Sequence, residues 1–133
     1  MGDDIIVNKA ATIERCVKRV HEEYADDPSH LFDDITRQDA IILNLQRACQ
    51  ASIDLAMHLT RIHELGPPQV SRDAFEQIVE AGFLPEELGD RLMRMVGFRN
   101  VAIHDYKALS LDIVQSIIDR HLTDFIDFAE LVV

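Results

Sequence analysis

Ile41-Ile42-Leu43-Asn44-Leu45-Gln46-Arg47-Ala48-Cys49-Gln50-Ala51-Ser52-Ile53-Asp54-Leu55-Ala56-Met57-His58-Leu59 carries apolar side chains at two helical phases at once. Ile42, Leu45, Cys49, Ser52, Ala56 and Leu59 recur at three- and four-residue steps and form one stripe. Ile41, Ala48, Ala51 and Leu55 form a second face. A helix that is apolar on both sides is covered on both sides. It is therefore either the central helix of a bundle or a helix that dimerises. Outward from this stretch, Thr36 is a suitable N-cap and Gly66-Pro67-Pro68 a stop, which predicts a helix over about 37–65.

The flanking sequence repeats the pattern on one face only. Ile6, Ala10, Ile13, Val17, Val20 and Tyr24 predict a first helix over about 4–24, with Asp3 and Asp4 at the positive end of its dipole. Asp26-Asp27-Pro28-Ser29 breaks it, and the segment to about 35 reads as a loop or short turn. Ser71 caps a short helix that Gly82 stops. Pro85-Glu86-Glu87 starts another, with Leu88, Leu92, Met95 and Val96 as its stripe. Ser110 caps the last, along which Val114, Ile118, His121, Phe125 and Phe128 repeat. No strand pattern, internal repeat or low-complexity segment is present. The expectation is an all-α, antiparallel bundle of four main helices plus one short helix, in one domain spanning 1–133.

Composition agrees. The chain has 133 residues, only 5 Gly and 4 Pro, no Trp and 6% aromatic residues, which favours helices over strands. Its net charge of −11 excludes an extensive basic face, so any nucleic-acid binding rests on a local Arg/Lys cluster and is weak and salt-sensitive. Cys16 and Cys49 sit inside apolar helical patterns without metal-type spacing and read as reduced core residues of a cytoplasmic protein. No apolar run approaches the ~20 residues that span a bilayer, so no membrane partner is expected. The start lacks the basic region of a signal peptide, and Met1-Gly2 is not followed by Ser or Thr at position 6, which argues against myristoylation.

Chemistry narrows by elimination. Di-metal bundles place Glu-x-x-His pairs on two helices. Three residues before the six histidines stand Lys18, Asp27, Leu55, Thr60, Val101 and Ile118, and the lone acid falls in the expected loop. His58 and His63 are five residues apart and point to different faces, so no metal site is expected. His21, His58, His63 and His121 read as surface or packing residues. Glycine-rich phosphate loops and a Gly-x-Ser-x-Gly turn are absent. No cofactor is expected.

What remains is Arg99-Asn100-Val101-Ala102-Ile103-His104-Asp105-Tyr106. Arginine holds phosphate with a fixed fork of donors, and histidine moves protons near neutral pH. Arg99 continues the stripe of Leu88, Leu92 and Met95, where an unpaired charge is costly, so it faces a cleft, a partner or a carboxylate. Five helical residues separate Arg99 from His104 by about 140°, while Tyr106 would return to within about 20° of Arg99. One straight helix cannot aim all three at one point. Either the helix ends near Ala102 or His104, or a two-fold axis brings in a second subunit.

The run Arg99 to His104, with polar Asn100 second, resembles the Arg-x4-His signature of the HEPN superfamily. Its extension His104-Asp105-Tyr106 is similar to the HepT branch, ribonuclease toxins paired with a minimal nucleotidyltransferase (MntA-like) antitoxin in type VII-like toxin–antitoxin systems. Ile42-Leu43-Asn44-Leu45-Gln46-Arg47-Ala48, Leu65-Gly66-Pro67-Pro68 and Ser110-Leu111-Asp112-Ile113-Val114 extend the likeness over nearly the whole chain. The resemblance implies a HEPN-like fold, a homodimer, and metal-independent cleavage of RNA at a cleft between subunits. It implies Arg99, His104 and Asn100 as catalytic residues and Tyr106 as the tyrosine that the antitoxin AMPylates. Two non-catalytic readings compete: a helical partner subunit that binds a nucleotidyltransferase, and an adaptor bundle whose Arg99 pairs across a dimer.

Overall fold

The computed structural model describes residues 3–133; Met1 and Gly2, on which the leader and myristoylation expectations bear, lie outside the described residues. The helices in chain order are α1 (Asp4–Ala25), α2 (His30–Asp33), α3 (Ile35–Ile62), α4 (Ser71–Glu80), α5 (Glu86–His104) and α6 (Leu111–Val132). A 3-10 turn, Tyr106–Ala108, separates α5 from α6. Four long helices and the short α4 match the expected all-α bundle. The one-turn α2 and the 3-10 turn are additions.

Of the two readings of the doubly apolar helix, the central one holds within the chain. α3 packs against α1, α2, α4, α5 and α6, and all ten residues of its two stripes are buried. Phe75, Phe125 and Phe128 fill the space around it, with Phe75 and Phe128 meeting edge to face at 5.9 Å.

Helix ends differ from expectation in instructive ways. α3 is capped by Asp34, not Thr36: the Asp34 carboxylate accepts from the Arg37 N–H at 3.2 Å. Its other end comes before the Gly66-Pro67-Pro68 break. Glu64 takes a left-handed φ of 54°, and the Leu65 N–H bonds the Thr60 carbonyl while the Glu64 N–H bonds that of Arg61. That is a Schellman turn closed by a non-glycine residue. α4 begins one residue after Val70, and the Asp73 carboxylate accepts from the amides of Gln69 and Val70. Gly82 follows α4 at φ 87°, a conformation that a side chain would strain. At α1, Asp3 caps Ile5 and Ile6 and also meets His58 Nε2 at 2.6 Å.

Candidate active site

The fold splits the sequence motif across a helix and the turn that follows it. α5 ends at His104, as the first of the two geometric options has it, and the break parts Tyr106 from Arg99 and His104. The chain leaves the helix at Asp105 (φ −150°, ψ 63°), and Tyr106 opens the 3-10 turn. Seen down α5 from Arg99, Ile103 lies at about 40°, Asn100 at about 100° and His104 at about 140°. Arg99 and His104 therefore flank one exposed strip of α5 with Asn100 and Ile103 between them, and do not converge within one chain. Asn100, Ile103 and His104 are exposed, and Arg99 is half-buried.

Arg99 is the anchored member. Its Nη2 reaches Ser71 Oγ on α4 at 3.5 Å, while its Nε is buried without a hydrogen-bond partner. No carboxylate pairs with it among the described residues. Its charge is felt by Cys49 of α3, whose thiol burial nevertheless pushes up to about 12. Cys16 is likewise buried, and both cysteines are free thiols. Arg99 and Asn100 line a surface concavity with Val70, Ser71, Arg72 and Val96. Two arginines thus share a hollow with a hydroxyl, an amide and two valines. That arrangement suits an anion with several oxygens.

Tyr106 is held separately. Its hydroxyl donates to Asp39 Oδ1 of α3 at 2.6 Å, tying the 3-10 turn back to the central helix. Partial burial, and then the Asp39 carboxylate, push its pKa up to about 12. Tyr106 is still 42% exposed.

Asp39, Ser71 and Arg72 escape a motif reading. Each lies far from residues 99–106 in sequence and is brought in by packing. The other histidines have ordinary structural settings. His58 is buried between Asp3 and Arg61, His63 stacks on Phe83 at 4.4 Å, and His121 pairs with Asp124 at 3.0 Å. Among the described residues no three His, Cys, Asp or Glu side chains gather as a metal site. No helix among them is long and apolar enough to cross a membrane.

A central two-faced helix, with an Arg-x4-His strip on a neighbouring helix and a tyrosine in the turn beyond, defines a HEPN domain, and the chain belongs to the HepT-like ribonuclease family, whose model matches residues 13–132. It is 48% identical over 130 residues to the mRNA nuclease HepT of Shewanella oneidensis, covering 98% of this chain and 97% of that one. Its fold is similar to that of the tri-AMPylated Shewanella oneidensis HEPN toxin in complex with MNT antitoxin (TM-score 0.93, 47% identity, 98% of each chain covered). A toxin–antitoxin structure with AMP-PNP matches equally, at TM-score 0.93, 47% identity and 98% of each chain.

Proposed function

We propose that this protein is the toxin of a toxin–antitoxin pair, a metal-independent endoribonuclease that works as a homodimer in the cytoplasm and is silenced by AMPylation of Tyr106. The observation that carries the reading is Arg99: a half-buried guanidinium with no carboxylate partner among the described residues, at the edge of a strip that ends in an exposed histidine. The relative named as an mRNA nuclease favours an enzyme over a non-catalytic partner subunit or adaptor.

In this reading the RNA 2′-hydroxyl attacks the adjacent phosphorus. His104 takes the hydroxyl proton, the 2′-O–P bond forms, the P–O5′ bond breaks, and His104 of the second copy protonates the leaving O5′. Arg99 stabilises the charge on the phosphorane oxygens, and Asn100 contacts phosphate from the same hollow. The products are a 2′,3′-cyclic phosphate and a 5′-hydroxyl end. Because Arg99 and His104 flank Ile103 rather than converge, a two-fold axis over this strip assembles the cleft from both copies. An MntA-like nucleotidyltransferase transfers AMP from ATP: the Tyr106 Oη–P bond forms, pyrophosphate leaves, and the hydroxyl loses its proton. The adenylates place bulk and negative charge beside the seat of the RNA phosphate.

The test is cleavage of RNA by the purified protein in EDTA, before and after incubation with the antitoxin and ATP. Cleavage should persist in EDTA, leave cyclic phosphate, and stop once mass spectrometry finds adenylate on Tyr106. Arg99→Ala should lower kcat by about 10²–10³-fold and His104→Ala by about 10²–10⁴-fold. Full activity in folded His104→Ala would overturn the assignment.

A further inference from the structure

Arg72 has no role in the motif, yet it stands beside Arg99 in one hollow. α4 presents it there: Ser71 and Arg72 open that helix, and α4 packs on both α3 and α5. A Cβ placed on Gly97 would lie 3.5 Å from Arg72 Nη2, so the guanidinium rests over α5 where that helix has no side chain, two residues before Arg99. Neither arginine forms an ion pair among the described residues, in a chain whose acids outnumber its bases 24 to 13. The nearest carboxylate in sequence, Asp73, is turned away onto the amides of Gln69 and Val70. Two like charges held together without a counter-ion repel each other, and an anion between them relieves the repulsion.

We propose that Arg72, with Ser71, forms a binding subsite for a backbone phosphate of the RNA substrate, next to the point at which Arg99 acts. The proposal rests on the ribonuclease reading and adds a gripping residue to it. Arg72 raises affinity for the bound strand, whereas Arg99 acts on the charge that develops in the transition state. It also supplies the local basic cluster that an acidic protein needs in order to hold RNA at all.

The experiment measures binding of a fluorescein-labelled, fully 2′-O-methylated RNA decamer by anisotropy across a salt series. Methylation removes the attacking hydroxyl, so binding is read without cleavage. Arg72→Ala should weaken binding about tenfold and flatten the slope of log affinity against log salt by about 0.7, the share of one single-strand phosphate contact. On cleavable RNA its KM should rise by a similar factor with kcat within about twofold. Arg72→Lys should keep the slope and part of the affinity. Arg19→Ala removes the same charge from a surface pair with Glu22 and Glu23 on α1 and should bind like the parent. Circular dichroism and sedimentation establish that each variant is folded. Parent-like binding by folded Arg72→Ala would overturn the subsite and leave the ribonuclease reading standing, as would an equal loss in Arg19→Ala. A parent that neither binds nor cleaves RNA overturns both.

Discussion

The bond from Tyr106 to Asp39 shows how a single residue couples the candidate control point to the fold. A tyrosine whose pKa is raised from 10.0 to about 12 holds its proton more tightly folded than unfolded. Between those two values the native state binds more protons, so stability falls as pH rises. The contribution is fully present below pH 10 and is lost as pH climbs through about 12. We therefore expect Tyr106→Phe to show a shallower alkaline loss of stability than the parent in urea melts at pH 9 to 12. In a Tyr24→Phe background, absorbance at 295 nm should report Tyr106 ionising near 12, and Asp39→Asn should bring that midpoint down toward 10. An unchanged midpoint would mean that Asp39 has no hold on the hydroxyl in solution. At this scale Arg99, Asn100, His104 and Tyr106 were legible because they are contiguous. Asp39 was not, since an acid in the first turns of an exposed helix face reads as solvated until a turn 67 residues away docks on it.

Elements position the residues, and the α4–α5 contact is the sensitive one. Gly89 of α5 is buried against Val79 of α4, and an added Cβ would run into Val79 Cγ2. Val79 is β-branched and has little rotamer freedom with which to retreat. Gly89→Ala gains about 1 kcal/mol of helix propensity, but the overpacking costs about 1–3 kcal/mol. We expect a net loss of stability in urea melts, together with weaker RNA binding, because α4 carries Ser71 and Arg72. Adding Val79→Ala should return part of both, a non-additive coupling typical of contacting residues. Additive effects would show that the two helices do not meet here. Helix periodicity located every long element, since burial of a stripe is written locally in the chain. The ends were less legible. Thr36 and Asp34 are both good caps by type, and the choice depends on the short α2 that precedes them.

For the whole molecule, the proposed cleavage calls for a second chain. Arg99 and His104 stand about 140° apart on an unbroken helix, and the exposed Ile103 and Val70 lie at the same strip and hollow. Apolar side chains beside an unpaired arginine make poor solvent-facing surface but a serviceable seam for a second copy, which would bury them and bring both pairs of motif residues to one cleft. The protein is then expected to sediment at twice its 15.1 kDa mass. Ile103→Asp, a change at a 43% exposed position, should leave the helical spectrum intact while shifting the protein to monomer and abolishing cleavage. The substitution also brings a carboxylate near the RNA, so the charge-free Ile103→Ala is its control, and it should lose dimer and activity in proportion. A parent that sediments as a monomer at concentrations where it cleaves RNA would overturn the shared cleft. Dimerisation also bears on the charge problem that composition raises. One chain offers RNA a hollow with two arginines in a surface that is acidic overall, whereas a two-fold pair offers four across one cleft, concentrating the positive potential where the strand must lie.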